Sequence, residues 1–327
     1  MVANKITAGV IGVGAMGQHH ARVYNELCGC DLVGVADADE ARATEVAEEY
    51  STTSVGTEAL IEQADAVTIA VPTPAHYELA TRCLEAGTHM LVEKPFVKDE
   101  RKGRELIDRG EAAGVTLQVG HIERFNPVTD TLQEIVPELE VLAVKAERLG
   151  PQPDRQIADS AVTDLMIHDV DIIRTLLDAP VTEVAAMGNA GGRYATASLA
   201  FENDVVARLT ASRVTQRKVR ELTITAEECY VTVDYIDQSV QIHRQSAPEF
   251  VDEDGGMRYR HESIVENPAV DTGEPLKFEL RSFLDAVRHG REPRVTGEDG
   301  LAALELVQEI NTKAFDAPHK RVEVLHD

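Results

Sequence analysis

The chain has 327 residues, 43% of them hydrophobic, which is enough to build two compact domains of ordinary size. Its 57 acidic side chains against 32 basic ones give a net charge of -25, which would repel the phosphates of nucleic acids and anionic membranes. The composition therefore argues against a nucleic-acid or membrane partner, and the spread of acidic residues along the chain predicts an acidic, solvated surface.

The cysteines and the apolar segments indicate a cytoplasmic protein. Glycines interrupt the apolar start at residues 6–16, and no later stretch reaches the roughly 18 apolar residues of a stop-transfer segment. The cysteines show no repeated pair spacing, which predicts reduced thiols and no metal site; they are Cys28, Cys30, Cys83 and Cys229.

Through about residue 120, short apolar runs alternate with helical patterns. The predicted strands are residues 6–11, 32–36, 66–71, 89–92 and 115–119, and the predicted helices are residues 16–27, 40–50, 75–86 and 100–113. This alternation is typical of a parallel sheet with helices on both faces. The sequence predicts an α/β, doubly wound Rossmann domain over residues 1–122.

The pattern changes after residue 122. Helices are predicted at residues 128–136, 165–177, 276–289 and 298–314, and strands at 141–147, 181–187, 196–201, 205–212, 220–226, 230–235 and 239–244. Short polar turns between these strands favour antiparallel pairing. Residues 123–327 are therefore predicted to form an α+β domain with a large, mostly antiparallel sheet, in which residues 246–275 form a loop or an oligomer arm.

The segment Gly12-Val13-Gly14-Ala15-Met16-Gly17 fits the pattern G-x-G-x-x-G, and it follows the first predicted strand and opens the first predicted helix. This position lets the main chain approach a pyrophosphate whose charge the helix N-terminus can meet. Asp37 ends the second strand, where its carboxylate can bind ribose hydroxyls and would repel a 2′-phosphate. The pattern predicts NAD, while the nearby Arg42 leaves NADP open. A Rossmann domain that binds S-adenosylmethionine or no nucleotide is the alternative.

The third strand leads into Val71-Pro72-Thr73-Pro74-Ala75-His76 at the carboxyl edge of the predicted sheet, where α/β proteins bind ligands. Val71, Pro72 and Thr73 are predicted to contact the cofactor. His76 is predicted either to touch the cofactor or to have a structural role in the first turn of the next helix.

Four segments resemble one known family. They are 70–76, 84–95 with Glu93-Lys94-Pro95 at its end, the pattern Asp164-x-x-x-His168-Asp169-x-Asp171, and 292–300. Together they resemble, over the length of the chain, the family of glucose-fructose oxidoreductase and inositol dehydrogenase, called Gfo/Idh/MocA. The resemblance implies a sugar or polyol oxidoreductase, a cis bond before Pro95, and a second domain that binds substrate and mediates assembly into a homodimer or homotetramer.

The resemblance assigns catalysis to Lys94, Asp164 and His168, and contacts with the cofactor to Glu93 and Lys94. Asp164 and His168 are four positions apart, so on a helix they share a face and the carboxylate can orient the imidazole. In one version His168 takes the proton of the substrate hydroxyl, assisted by Lys94; in the other Lys94 is the base and His168 binds substrate. Alternatively, the pair of Asp164 and His168 forms an ordinary structural contact on a helix face and has no catalytic role.

Segments 120–127, 234–238 and 274–280 resemble the branch of UDP-N-acetylglucosamine 3-dehydrogenases. Arg124 and Asn126 are predicted to donate hydrogen bonds to a phosphate or acetamido group of such a substrate, or instead to form an interdomain salt bridge and a helix cap. The second hypothesis for the function is an inositol or aldose dehydrogenase. An NAD-dependent glycosidase and a non-catalytic NAD-binding regulator are the remaining alternatives.

Overall fold

The computed structural model describes residues 5–152, 157, 159–189, 191–245, 249–253, 256–260 and 262–316. The chain divides into two compact units, Met1–Asp130 with Asp271–Glu305, and Thr131–Val270 with Leu306–Asp327. Residues 271–305 thus fold with the first unit although they follow most of the second unit in sequence. Among the residues described, no helix combines the length and apolar composition that crossing a membrane requires.

The first unit contains a parallel sheet of five strands in the order β2-β1-β3-β4-β5. The strands are β1 (Ile6–Ile11), β2 (Cys30–Ala36), β3 (Ala66–Ile69), β4 (His89–Glu93) and β5 (Leu117–Gly120). Most of their residues are buried, as expected for a parallel sheet covered on both faces. The predicted doubly wound α/β fold is confirmed. Because the order reverses between β1 and β3, a ligand crevice is expected at the carboxyl ends of these two strands.

Helices cover both faces of this sheet. The α-helices of the chain are α1 (Gly17–Glu26), α2 (Glu40–Glu49), α3 (Thr57–Gln63), α4 (His76–Ala86), α5 (Glu100–Ala113), α6 (Pro127–Ile135), α7 (Ile167–Leu177), α8 (Pro275–His289) and α9 (Gly297–Asn311). One core cluster joins α1, α2 and α8 to one face, and the other joins α3, α4, α5 and the start of α9 to the opposite face. The short α3 was not predicted, because it buries only Leu60 and Ile61 and so shows little periodicity.

The second unit is built on a sheet of eight strands in the order β15-β12-β11-β10-β6-β9-β8-β7. The strands of the unit are β6 (Val141–Leu149), β7 (Val181–Gly188), β8 (Tyr194–Phe201), β9 (Val206–Ser212), β10 (Val219–Ala226), β11 (Tyr230–Asp234), β12 (Ser239–Gln245), β13 (Glu249–Glu253), β14 (Gly256–Arg260) and β15 (Ser263–Glu266). Within the large sheet β6 and β9 are parallel and the other neighbours are antiparallel. The predicted α+β architecture is confirmed.

The prediction of a loop or arm at residues 246–275 was wrong in part. The segment contains β13 and β14, which pair with each other, and β15, which pairs with β12. Every residue of β15 is exposed, so pairing and not burial holds this strand, and its sequence lacks the alternation that would identify it. Positions 246–248, 254–255 and 261 of the segment lie outside the described residues.

Leu280 on α8 tests whether the returning segment stabilises the first unit. This side chain is fully buried in the cluster with α1 and β1, so Leu280→Ala should lower the free energy of unfolding of this unit by about 2–5 kcal/mol. Hydrogen exchange at increasing urea concentration measures the loss in peptides from β1 and α1. Exposed Arg281 provides the control, since Arg281→Ala should change stability by less than about 0.5 kcal/mol. Loss of protection in β6 and β9 with β1 unaffected would contradict this assignment.

Candidate active site

The glycine motif forms a tight turn between β1 and α1. A Cβ at Gly12, where φ is +88°, would lie 2.6 Å from Val71 Cγ1 and 2.7 Å from the Ala70 carbonyl oxygen, and a Cβ at Gly17 would lie 1.7 Å from the Gly12 oxygen. Neither position has room for another side chain. A Cβ at Gly14 would meet no atom within 4 Å, so its main chain is accessible to a ligand. The turn has the features of a pyrophosphate-binding loop.

The start of α1 suits an anion. Ala15 and Met16 are exposed before it, and the first turn of the helix has neither a side-chain cap nor an acidic residue. By contrast, Asp39 and Asp99 cap α2 and α5. The amide groups at the start of α1 therefore carry the partial positive charge of the helix, and its first turn contains no acidic side chain that would offset this charge.

Asp37 lies directly after β2, next to the glycine turn. Its Oδ2 accepts a hydrogen bond of 2.8 Å from the Val13 amide, and its Oδ1 accepts one of 2.9 Å from the Asp39 amide. Arg42 is half-exposed, with its guanidinium 3.8 Å from Asp37 Oδ1 and 3.2 Å from Asp39 Oδ2. Main-chain donors thus fix an acidic group beside the turn, as binding of a ribose diol requires.

His76 connects two turns at the carboxyl edge of the sheet. The side chain is 1% exposed; its Nε2 lies 2.8 Å from the Val71 oxygen and its Nδ1 lies 3.1 Å from the Pro95 oxygen. These contacts match the structural role that the sequence left open. Pro72 is exposed and Thr73 half-buried before it, so they line the surface of the turn that follows β3.

Glu93 is the last residue of β4, and Lys94 follows it. The Lys94–Pro95 bond is cis, as the resemblance predicted. Buried His20 of α1 donates to Glu93 Oε1 from Nε2 over 2.9 Å, and the Lys94 amide donates to Glu93 Oε2 over 3.1 Å. Burial by itself raises the pKa of Glu93. The hydrogen bond with His20 and the charges of His20 and Lys94 together lower it by more than burial raises it, so the pKa lies below its ordinary value. The ionised carboxylate therefore holds the main chain of Lys94.

Asp164 lies in a π-helical turn, Val162–Met166, which continues into α7 just before His168. Single π turns within α-helices often occur at functional sites. Arg213, directly after β9, donates from Nη1 to Asp164 Oδ2 over 3.4 Å and from Nη2 to the Asp159 carbonyl. A nearly buried guanidinium thus restrains the carboxylate that is predicted to orient His168.

Two further contacts hold this helical segment. Arg148 of β6 binds Asp169 through Nε and Nη2 at 2.8–3.1 Å, with both side chains buried. At the other end, Ser160 donates to Asn311 Oδ1 over 2.6 Å and Asn311 Nδ2 donates to Thr163 over 2.8 Å. The turn that carries Asp164 is therefore fixed to the sheet and to the end of α9, all within the second unit.

Arg124 and Asn126, the predicted substrate donors, make contacts within the protein. Arg124 Nη2 lies 3.2 Å from Asp299 Oδ1, and both residues belong to the first unit. Asn126 Nδ2 donates to Glu123 over 3.3 Å, while its Oδ1 accepts from the Val128 amide over 3.4 Å at the start of α6. These are the salt bridge and helix cap that the sequence offered as alternatives, except that the salt bridge lies inside one unit.

The structure thus groups the predicted residues by unit. The glycine turn, Asp37, Glu93 and Lys94 lie at the carboxyl edge of the first sheet, and Asp164 and His168 lie on one helical segment of the second unit. Sequence reasoning missed His20, although it shares with residues 17, 21 and 24 the spacing of a buried helix face. It also missed Arg213, for which the sequence offers no local signal.

Comparison with known proteins places both units in one family. The model of an oxidoreductase family with an NAD-binding Rossmann fold matches residues 6–121, and the model of the GFO/IDH/MocA C-terminal domain matches residues 137–232. The chain belongs to the Gfo/Idh/MocA oxidoreductase family. It is accordingly an oxidoreductase that binds a nicotinamide cofactor, and the turn after β1 has the shape and exposed main chain that this cofactor needs.

Relatives within this family are similar over nearly the whole chain. UDP-N-acetylglucosamine 3-dehydrogenase of Acidithiobacillus ferrooxidans is 33% identical over 90% of this chain and 93% of its own. A solved structure of that enzyme superposes with a TM-score of 0.86 at 30% identity, covering 95% of this chain and 97% of the other. Inositol 2-dehydrogenase of Rhizobium meliloti is 28% identical over 91% of this chain and 93% of its own.

Gly14 and Gly17 give a matched pair for testing the turn. Gly17→Ala places a Cβ against the Gly12 oxygen and should destabilise the cofactor-free protein by about 1–3 kcal/mol. Gly14→Ala meets no protein atom, so stability should change by less than about 0.5 kcal/mol, while NADH affinity falls by about tenfold or more because the methyl group blocks the pyrophosphate. Thermal unfolding and NADH fluorescence titration measure the two effects. Wild-type NADH affinity in Gly14→Ala would show that the pyrophosphate lies elsewhere.

Proposed function

We propose that this oxidoreductase oxidises a secondary hydroxyl of a sugar or sugar nucleotide with NAD, and that UDP-N-acetylglucosamine, oxidised at C3, is its substrate. The observation that carries the proposal is the similarity to the A. ferrooxidans dehydrogenase, because 33% identity over 90% of this chain spans both units. The similarity is therefore long enough to include parts of both units.

Oxidation of a secondary alcohol removes a proton from oxygen and a hydride from carbon. When bound, NAD supplies the acceptor for that hydride. In the proposed mechanism His168 takes the hydroxyl proton, and the Lys94 ammonium stabilises the oxygen as negative charge develops on it. Asp164 orients the imidazole, and Arg213 in turn holds Asp164. The alternative, with Lys94 as the base and His168 as a substrate ligand, uses the same groups.

The surroundings of Asp37 support NAD over NADP. Two main-chain amides hold its carboxylate beside the glycine turn, where it would repel a 2′-phosphate. Arg42, the cation that could instead attract that phosphate, is close to both Asp37 and Asp39 and so is already matched by acidic groups. The local charge therefore favours an unphosphorylated ribose.

An inositol dehydrogenase is the second candidate, and the similarity to the R. meliloti enzyme over 91% of this chain favours it. Arg124 and Asn126 bear on this choice, because they are the proposed donors to a nucleotide sugar and both are engaged by neighbouring side chains. A substrate phosphate or acetamido group would have to share them with Asp299 and Glu123. Identity to the sugar-nucleotide enzyme is nevertheless the higher of the two.

NADH formation measured with a substrate panel, at low and high salt, tests the proposal. The panel contains UDP-N-acetylglucosamine, UDP-glucose, myo-inositol, free aldoses and an aryl glycoside. We expect turnover with UDP-N-acetylglucosamine, and a loss of about 100-fold or more in His168→Ala and in Lys94→Met, since positioned acid-base groups contribute factors of this size. Both variants should still bind NADH.

Lys98→Met is the matched control for Lys94→Met, because Lys98 is exposed four residues later in the same loop and should be dispensable. Turnover of myo-inositol or aldoses alone would reject the nucleotide-sugar substrate. Cleavage of the aryl glycoside without net NADH would indicate a glycosidase, and NADH binding without any turnover would indicate a regulator. Nearly full activity in His168→Ala would assign the base to Lys94.

Cofactor choice is tested separately at Asp37. Asp37→Asn removes the charge and keeps the size of the side chain, so the ratio of kcat/KM for NAD to that for NADP should fall by about tenfold or more. Asp31→Asn on β2, the strand that ends just before Asp37, is the control, since Asp31 is an exposed residue paired with Lys5. An unchanged ratio in Asp37→Asn would mean that Asp37 does not select the cofactor.

A further inference from the structure

A cluster of buried polar side chains lies on the face of the first sheet that α1 and α8 cover. Its members are His20 of α1, Glu93 of β4, Gln118 of β5 and Glu279 of α8, all at most 8% exposed. The strand register places Gln118 beside Leu91, two residues before Glu93, so Glu93 and Gln118 point to one face. Leu91 packs there with α1 and with the neighbours of Glu279 on α8.

The two carboxyl groups of this buried cluster have different surroundings. Glu93 accepts hydrogen bonds from His20 and from the Lys94 amide. Neither carboxyl oxygen of Glu279 has a hydrogen-bond partner within the described residues, and this side chain is fully buried. Burial first, and then the negative charge of Glu93, raise the pKa of Glu279 well above its ordinary value. Two carboxyls so arranged favour different protonation states, the ionised form at Glu93 and the neutral form at Glu279.

A neutral Glu279 also matches the other groups of the cluster. Gln118 is fully buried, and its two amide atoms and His20 Nδ1 have no partner among the residues that the structure describes. A protonated carboxyl donates one hydrogen bond and accepts others, as the amide of Gln118 does. An ionised Glu279 would instead be a second buried anion near Glu93 with no cation of its own.

We propose that Glu279 is a positioning residue for Lys94: its neutral, proton-carrying carboxyl keeps the negative charge of the cluster on Glu93, which holds the main chain of Lys94. This inference rests on the proposed catalytic role of Lys94. Ionisation of Glu279 would place a like charge near Glu93, favour protonation of Glu93, and so weaken the hydrogen bond from the Lys94 amide. The charged and titratable groups on the elements next to Glu279 are His19, His20, Arg22, Tyr24 and Glu26 of α1, Glu93 and Lys94 at the end of β4, and His121, Glu123 and Arg124 before α6.

Glu279→Gln tests this proposal, because glutamine keeps the shape of the neutral acid and cannot ionise. Infrared spectra in D2O should show the carbonyl band of a protonated carboxyl in the wild type, and this band should be lost in the variant. Hydrogen exchange of the peptide containing Lys94 should show equal protection in both proteins at pH 7. As the pH rises, protection should decline in the wild type and persist in Glu279→Gln. Neither measurement requires a substrate.

Stability against pH gives an independent measure. Because the folded-state pKa of Glu279 is raised above the ordinary 4.5, its contribution is fully present below that value and is lost as pH rises toward the folded pKa. The unfolding equilibrium constant of the wild type relative to Glu279→Gln should therefore rise above pH 4.5 by up to about tenfold per pH unit. Tyr24→Phe is the control: it removes from α1, which packs against α8, the buried hydroxyl bonded to Thr68 of β3, and it should lower stability without this pH dependence.

The activity of Glu279→Gln distinguishes positioning from bulk stability. At pH 7 its kcat and KM should lie within about threefold of the wild type, because the proposed neutral carboxyl and the glutamine amide are both uncharged. At alkaline pH the activity of the variant should decline less than that of the wild type. If Glu279→Gln does not fold, Glu279→Met takes its place as a neutral residue of similar length. Loss of Lys94 protection at pH 7 in a folded neutral variant, or an unchanged infrared spectrum, would overturn the proposal. If the wild type turns over no substrate, the proposed function fails, while the infrared and exchange results still decide this inference.

Discussion

The ionised Glu93 carboxylate is the group on which the first unit's site depends. It is buried at the carboxyl end of β4, and His20 and the Lys94 amide compensate its charge. His20 lies one turn into α1, the helix that begins at the glycine turn, so one carboxylate connects the proposed cofactor cradle to the proposed catalytic lysine. A group that loses hydration on burial must be met by fixed donors, and those donors fix its position. The positions of His20 and of the Lys94 main chain therefore follow from the need to compensate this buried charge.

In the second unit, guanidinium groups are the fixed donors that compensate carboxylates. Arg148 binds Asp169 and Arg213 binds Asp164, on either side of the start of α7. Buried ion pairs contribute little net stability, because desolvation offsets much of their attraction, yet breaking one leaves an uncompensated charge. Their effect here is to restrict the helical segment to one position on the sheet. The π-helical turn at Asp164, which departs from regular α-helix, is held by these pairs and by Asn311.

The local sequence pattern was sufficient to predict the fold class and the glycine turn, whose residues act through their main chain. Alternating apolar runs identified the parallel sheet, and the glycine spacing identified a turn in which Gly12 and Gly17 leave no room for another side chain. The sequence did not reveal β15, whose residues are all exposed and which pairs with β12, nor the two strands β13 and β14 that pair with each other. Arg213 and Glu279 were also beyond local pattern. Each is a charged residue type whose burial depends on strands or helices distant in sequence, in the case of Glu279 on the return of α8 to the first unit.

The distribution of charge bears on the kind of substrate. The chain carries a net charge of -25, yet each arginine that is buried among the described residues pairs with an aspartate: Arg124 with Asp299, Arg148 with Asp169, and Arg213 with Asp164. The acidic excess therefore resides on the surface, where it repels an anionic sugar nucleotide over a distance of about 8 Å at physiological ionic strength. Salt screens that repulsion but affects buried pairs much less. A nucleotide-sugar dehydrogenase with this surface should bind its substrate more tightly as salt increases, whereas binding of a neutral polyol should not depend on salt in this way.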